Sequence, residues 1–184
     1  MLILLIVVAL LVLLLLYVIA TYNGLVKLRN RIEAAWAQID VQLKRRYDLI
    51  PNLVETVKGY ASHERATLDA VISARNAAMA APSGSHQQAQ AENAISGALR
   101  QLFALSEAYP DLKANQNFGQ LQEELTSTED RIAYSRQFFN DSVLKYNSKI
   151  QAFPGVILAN AMGFKPREYF EADDDSRGPV QVKF

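Results

Sequence analysis

Few residues in this chain have the types and spacing that a reaction or a metal ion requires. The pair His63-Glu64 comes nearest to a zinc-protease helix, but that motif needs a second histidine four residues after the first, and position 67 is threonine. The other histidine is His86, and the chain contains no cysteine, so metal ligands are scarce. We therefore interpret His63 as a solvated helix position and expect no catalytic residue, no metal and no cofactor.

A second candidate is the charged run from Lys44 to Asp48, KRRYD. Three adjacent cations spread over most of a helical turn, so they cannot form one tight anion pocket. They could contact anionic lipid only if their helix lay flat on a membrane. The favoured interpretation is pairing within the chain, with acidic residues of a later helix: Glu123, Glu124, Glu129 and Asp130.

Two further sets of residues are candidates for contacts with partners. The basic residues Lys27, Arg29 and Arg31 follow an apolar segment closely and are candidate contacts for lipid headgroups. The adjacent aromatic residues Phe138 and Phe139 point about 100° apart on a helix, so one of them could lie outside the core and form a protein-interaction surface. The alternative for this pair is a broad core stripe with a polar rim.

The element that positions these residues begins with MLILLIVVALLVLLLLYVIA, residues 1–20, which contain no charged side chain. A helix of this length rises about 30 Å, the hydrocarbon thickness of a bilayer. A signal peptide would have a basic start and a small-x-small cleavage site, and a buried soluble helix is seldom apolar on every side. We therefore expect an uncleaved, single-pass transmembrane anchor over residues 1–22.

The distribution of charge predicts the orientation of this anchor. Residues 21–47 carry six basic and two acidic side chains, whereas only the α-amino group is charged before them. The positive-inside rule then places the N-terminus outside and the soluble domain in the cytoplasm. Beyond the anchor the acidic and basic residues are equal in number, 19 of each, which argues against a general nucleic-acid binder.

The chain after the anchor has the periodicity of long helices. Apolar residues recur at steps of three and four from Leu25 to Val57, and Pro51 predicts a kink or a helix boundary within this stripe. Gly24, at the membrane border, is a second candidate hinge. The signal for strands is nearly absent. Further helical segments are expected over 53–81, 87–108, 117–153 and, as a short apolar helix, 156–162.

These segments predict an all-α fold, with an N-terminal transmembrane helix followed by an antiparallel bundle of three to four long helices with coiled-coil-like packing. We expect the bundle domain over residues 23–163 and an irregular C-terminal segment over residues 164–184. This last segment contains an acidic stretch from Glu171 to Asp175. Its aromatic residues suggest that part of it packs on the bundle: Phe164, Tyr169, Phe170 and Phe184.

Three separated parts of the chain resemble the LemA family, in the same order. They are residues 29–64, which begin RNRIEAAWAQID, residues 107–154, which begin EAYPDLKANQNF, and GFKPREYF at 163–170 with the late ending PVQVKF. The loop at 82–92 looks least like a fixed pattern. The resemblance implies an N-terminal membrane helix with a short outer tail, an α-helical bundle facing the cytoplasm and no enzymatic activity.

Three functions are compatible with these features. The leading hypothesis is a non-enzymatic structural or scaffold protein that forms homo-oligomers or binds an unknown protein partner, because the long apolar stripes can exceed what one chain covers. One alternative is a regulatory adaptor subunit of a membrane protease, transporter or sensor. Another is a lipid-binding, membrane-remodelling protein. Membrane lipid is the expected partner of the anchor, and nucleic acid is not an expected partner.

Overall fold

Helices are the only regular elements in residues 1–170, the part of the chain that the computed structural model describes. The all-α prediction and the long apolar N-terminal helix are therefore confirmed for this part. The predictions for Glu171 to Asp175 and for Phe184 lie outside the described residues. The helices of residues 1–170 are α1 (Leu2–Lys58), α2 (Arg65–Ala80), α3 (His86–Ser106), α4 (Pro110–Lys113), α5 (Gln116–Gln151) and α6 (Gly155–Ala161).

Helix α1 continues through Pro51, so a helix boundary at this residue is wrong. Because proline has no N–H, the carbonyl of Tyr47 loses its donor within the helix. The structure supplies another donor, since Nε of Arg75 on α2 donates to the Tyr47 carbonyl oxygen at 2.8 Å. A side chain from a different helix thus replaces the missing backbone bond, which explains why α1 can continue past the proline.

The end of α1 lies instead at Lys58, and the turns of residues 59–64 separate it from α2. The helical segment predicted over 53–81 is therefore interrupted. The amides of Tyr60 and Ala61 both donate to the carbonyl oxygen of Val57, at 3.0 and 2.8 Å. These bonds satisfy a carbonyl of the last helical turn while the chain changes direction.

Side-chain caps determine where α3 and α5 begin. Oγ of Ser85 accepts a hydrogen bond from the amide of Gln88 at 3.1 Å, and Oδ1 of Asn115 accepts one from the amide of Phe118 at 2.9 Å. Each cap satisfies a backbone donor of the first turn, which has no partner within its own helix. The helices predicted from residues 87 and 117 each begin one residue earlier, directly after their caps.

The described residues belong to two compact units, and both α1 and α5 contribute to each. The first unit comprises Met1–Ala37 and Gln137–Tyr169; the second comprises Gln38–Arg136 and, among the described residues of its C-terminal part, Phe170. The core of the second unit draws side chains from α1, α2, α3, α4 and α5, including Ile50, Leu53, Val57, Val71, Ile95, Leu102, Leu112, Phe118 and Leu125.

In the first unit, α1 and α5 run in opposite directions and bury facing stripes. The Trp36 ring contacts Phe139 edge to face, with 5.6 Å between centroids, while Gly24 lies against the end of the Lys149 side chain. A later position on α5 thus meets an earlier position on α1. The buried apolar residues of these segments are Leu25, Ile32, Ala35, Phe139, Val143, Tyr146 and Ile150.

The segment that follows α6 is held to α5 within the first unit. The hydroxyl of Tyr146 donates to the Lys165 carbonyl oxygen at 3.0 Å. The side-chain amide of Asn147 exchanges two hydrogen bonds with the backbone of Arg167, at 2.8 and 2.9 Å. Phe164 packs its ring against Tyr22, with 5.9 Å between centroids. The packing predicted for part of residues 164–184 is therefore confirmed at Phe164.

Candidate functional site

Helix α1 begins with an apolar segment that is long enough to cross a membrane, and within residues 1–170 it is the one helix that meets this criterion. Its large side chains are exposed from Met1 through Leu16, since no other part of the described chain covers them. In water such a surface would be strongly unfavourable at roughly 25 cal/mol for each Å² exposed. The geometry therefore leaves the segment available to a bilayer.

The three predicted lipid-contacting residues lie on α1 just beyond this segment, and all are exposed. Lys27 and Arg31 are four residues apart and share a face, whereas Arg29 points to the other side of the helix. The guanidinium of Arg31 also lies over the ring of Phe138, 4.8 Å from its centroid. At about 1.5 Å per residue, the three lie roughly 10 to 17 Å past Ala20. Contact with headgroups remains a prediction for them.

The two adjacent phenylalanines of α5 have different environments. Phe139 is 9% exposed and packs on Trp36, so the structure places it in the core of the first unit rather than on an interaction surface. The reason is its place in the stripe that continues through Val143 and Tyr146 at steps of four and three. Phe138 is half-buried beneath Arg31.

The two candidate hinges both lie inside helix α1. A Cβ added at Gly24 would meet the ammonium of Lys149, which is a movable group at the end of a long side chain. At Pro51 the hydrogen bond from Arg75 to the Tyr47 carbonyl fixes the helix locally. Hinge motion at Gly24 or Pro51 stays a prediction.

The charged run from Lys44 to Asp48 leads to a buried cluster in the second unit. Arg46 is completely buried, and its guanidinium donates to the carboxylates of Glu92 on α3 and Glu129 on α5. The same guanidinium donates to Oγ of Ser96 at 3.1 Å, and that hydroxyl donates to Glu129 at 2.7 Å. We call Arg46, Tyr47, Glu92, Ser96 and Glu129 the Arg46 cluster. It joins three helices through one cation.

The preceding residue, Arg45, also pairs with a carboxylate, but this ion pair is exposed to solvent. Arg45 donates to the carboxylate of Glu124 on α5 at 2.7 Å, and the two side chains are 45% and 50% exposed. Pairing of the charged run with acidic residues of a later helix is therefore confirmed for Arg45 and Arg46. An exposed pair of this kind contributes little to stability, about 0 to 1 kcal/mol.

The electrostatics of the Arg46 cluster favour a structural role. Two carboxylates face one guanidinium, and the hydroxyl of Tyr47 donates to the second oxygen of Glu92. Burial raises the pKa of Tyr47 above its ordinary value of 10.0, against the smaller opposing influences of Gln88 and Arg46. Tyr47 is therefore a proton-bearing donor at neutral pH, which suits it to holding Glu92 rather than to proton transfer.

The pair His63-Glu64 lies in the turns between α1 and α2 rather than within a helix. Glu64 accepts a hydrogen bond from the hydroxyl of Tyr109 at 2.9 Å, and this bond raises the pKa of that tyrosine. Among residues 1–170, no group of three or more His, Cys, Asp or Glu side chains is arranged to hold a metal ion.

Sequence reasoning missed the α3 side of the Arg46 cluster. Glu92 lies in QAENAIS, where a single acidic residue among alanines gives no sign that it is buried. The nearest signal is Ser96, four residues later, which places a second polar side chain on the same helix face. Arg75, the donor to the Tyr47 carbonyl, had no local signal either.

Comparison with known proteins finds one family and several relatives of this chain. The LemA family profile matches residues 35–184, most of the chain. The magnetosome protein MamQ of Magnetospirillum gryphiswaldense is 27% identical over 184 aligned residues, which cover 86% of this chain and 68% of MamQ. MamQ 1 of Paramagnetospirillum magneticum is 26% identical with the same coverage.

A relative outside the magnetosome proteins shows a similar level of identity. Protein LemA of Metamycoplasma hominis is 28% identical over 164 aligned residues, which cover 87% of this chain and 73% of that protein. The family match includes residues 35–58 of α1, the Arg46 cluster and the whole of α5. The chain therefore belongs to the LemA family.

Proposed function

We propose that this protein is a non-enzymatic scaffold, anchored once in the bacterial inner membrane, that self-associates through its helical part. The observation that carries the proposal is the uncovered apolar segment at the start of α1, which continues without interruption into a charged helix. A bilayer is the environment that removes such a segment from water.

The orientation rests on the charges that flank the segment. Lys27, Arg29 and Arg31 follow it within about three helical turns, and they are the first charged side chains after the segment. Basic residues are retained on the cytoplasmic side during insertion. The helical part of the protein then faces the cytoplasm, and the N-terminus lies outside.

The absence of an enzymatic role is supported by how the charged groups are used. Arg46 and Glu92 are sealed in the core of the second unit, where a substrate cannot reach them. The concavities described in that unit are open grooves, and in the one lined by Gln122, Thr126 and Asp130 the Thr126 hydroxyl donates to the Gln122 carbonyl oxygen at 2.8 Å rather than to a carboxylate. The relatives above are named for a cell structure or for the family rather than for a reaction.

The scaffold form that we propose is an antiparallel helical bundle with coiled-coil-like packing. Support comes from the opposed directions of α1 and α5 in the first unit and from stripes spaced by three and four residues. Self-association is supported by exposed large side chains on the second unit, including Val41 and Tyr134, the latter 72% exposed.

The topology can be tested directly because the chain has no cysteine. Ser127→Cys places one thiol on the exposed surface of α5, and Leu2→Cys places one at the start of the anchor. In intact cells a membrane-impermeant maleimide is expected to label only Leu2→Cys, and permeabilised cells are expected to label both. Labelling of Ser127→Cys in intact cells would contradict the proposed orientation.

Self-association can be tested by co-expressing two differently tagged copies of the full chain. We expect the second tag to be retained with the first after mild solubilisation, whereas separately expressed copies mixed after solubilisation show the background. Recovery of one different protein in a fixed ratio, without the second tag, would instead support the adaptor function.

A further inference from the structure

An uncharged stretch links the end of α5 to the segment after α6. Residues 150–164 contain no charged side chain, and Lys149 and Lys165 flank them directly. We call residues 150–164 the α5–α6 segment. It is shorter than the roughly 20 residues that a spanning helix needs. Apolar runs of less than spanning length occur in buried core helices and in interfacial segments, and a flanking lysine can keep its ammonium in water beside a membrane.

Two contacts place this segment beside the part of α1 that leaves the membrane. Phe153 and Pro154 line one groove together with Tyr17 and Ala20, at the end of the apolar run. At the other end of the segment, Phe164 packs on Tyr22. Both ends of the α5–α6 segment thus lie at the level of residues 17–22, and all of these residues belong to the first unit.

The outer side of this segment is apolar and uncovered. Phe153 is 82% exposed and Ile157 is 60% exposed, which is unusual for large apolar side chains in water. The opposite side of α6 is buried through Gly155 and Ala159. Helix α6 therefore rests on the unit by one face and presents its apolar face away from it.

Charge complementarity indicates an anionic lipid surface as the occupant. The described residues of the first unit contain seven basic and three acidic side chains, although the whole chain has equal numbers. Lys149 lines the same groove as Phe153 and is exposed. The basic residues of the unit are Lys27, Arg29, Arg31, Lys145, Lys149, Lys165 and Arg167.

We propose that the α5–α6 segment is a second membrane contact, in which Phe153 and Ile157 insert into the cytoplasmic interface of the bilayer that α1 crosses. The flanking lysines then contact anionic headgroups. This inference rests on the proposed anchoring by α1. Its consequence is that the first unit is attached to the membrane at two places, which restricts rotation of the unit about the anchor.

The insertion can be measured by the depth of a single tryptophan in the full chain. Trp36 is the only tryptophan, so Trp36→Phe gives a background without one and keeps an aromatic ring against Phe139. Phe153→Trp and Ile157→Trp are then made separately in this background. Each variant is reconstituted in vesicles of phosphatidylcholine and phosphatidylglycerol whose acyl chains carry bromine near the headgroup.

Two controls separate this inference from the anchoring itself. Tyr17→Trp reports the membrane helix, and Leu144→Trp replaces an exposed apolar residue of α5, in the same unit but about 10 Å before the end of that helix. We expect Phe153→Trp to be quenched nearly as strongly as Tyr17→Trp and at least fivefold more than Leu144→Trp. Ile157→Trp is expected to follow Phe153→Trp.

The outcomes distinguish the two proposals. Quenching at Tyr17→Trp without quenching at Phe153→Trp and Ile157→Trp overturns the second membrane contact and leaves the anchor intact. Equal quenching at Leu144→Trp also overturns it, because the contact would then not be specific to the α5–α6 segment. Loss of quenching at Tyr17→Trp would overturn the anchor and, with it, the second contact.

Discussion

The hydrogen bond from Arg75 to the Tyr47 carbonyl makes a prediction that links two distant residues. If this bond compensates for the missing N–H of Pro51, then Arg75→Met should lower the stability of the protein only while the proline is present. Met keeps much of the aliphatic length of Arg and removes the donor. In the Pro51→Ala background, the alanine N–H can bond to the same carbonyl, so the donor from α2 is no longer needed.

The size of the effect follows from the partly buried carbonyl. Leaving a buried acceptor without a donor costs about 1 to 3 kcal/mol. For a domain of this size, each kcal/mol lowers the melting temperature by about 2 to 4 °C. We therefore expect Arg75→Met to lower the melting temperature by about 2 to 12 °C. In the Pro51→Ala background we expect the loss of stability caused by Arg75→Met to be smaller by about 1 kcal/mol or more.

The assay is thermal unfolding of the full-length protein in mild detergent, followed by circular dichroism at 222 nm, for the four members of this double-mutant cycle. Arg65→Met, on an exposed arginine of the same helix α2, is the matched control and should stay within about 0.5 kcal/mol. An equal loss from Arg75→Met with and without the proline would refute the compensation.

Four further predictions use the same melting assay. Arg46→Met is expected to cost about 3 to 5 kcal/mol because it leaves the buried carboxylate of Glu92 without its cation, whereas Arg45→Met should cost less than about 1 kcal/mol; equal losses would contradict the burial argument. Gly155→Ala is expected to cost about 1 to 3 kcal/mol because the new methyl group would lie 2.9 Å from a backbone oxygen. Gly24→Ala displaces only the ammonium of Lys149 and should leave the free energy of unfolding unchanged or raise it by up to about 1 kcal/mol. A loss of stability at this position would contradict the free movement of that side chain. Because burial raises the pKa of Tyr47 in the folded protein, the unfolded chain loses the phenolic proton first as pH rises above 10.0, and the free energy of unfolding decreases. Tyr47→Phe should show a smaller decrease in melting temperature above pH 10. An unchanged decrease would contradict the burial of this hydroxyl.

The parts of the fold that one helix determines by itself were predictable from sequence. The stripe from Phe118 through Leu125 and Ile132 is buried as its spacing indicates, because such spacing places side chains on one face of any helix. The uncharged run at residues 1–20 likewise predicts a helix that is long and apolar enough to cross a membrane. None of these inferences requires knowledge of a second helix.

The contacts between helices were not predictable in the same way. The missing donor at Pro51 follows from the chemistry of proline, but its replacement by Arg75 depends on the height and rotation at which α2 meets α1. Burial of Glu92 depends equally on how α3 lies beside Arg46. The turns after Lys58 were hidden because residues 59–64 contain no proline and a single glycine, Gly59, which is a weak interruption by itself.

The exposed aromatic residue proved hardest to locate. Phe138 and Phe139 were candidates because two adjacent rings cannot share one face, yet the ring most exposed in this unit is Phe153, beyond the end of α5. Helical periodicity does not predict which side chains are exposed at residues 152–154, because these residues belong to no helix. The uncharged stretch between Lys149 and Lys165 is the signal that could have indicated it.

The most direct test of a self-associating membrane scaffold is native mass spectrometry of the full-length protein released from mild detergent. The chain has a mass of 20.5 kDa, so assemblies appear as whole multiples of that value. We expect one discrete oligomer that persists on dilution and contains no second protein. A monomer of 20.5 kDa at every concentration would contradict self-association through the helical part of the chain.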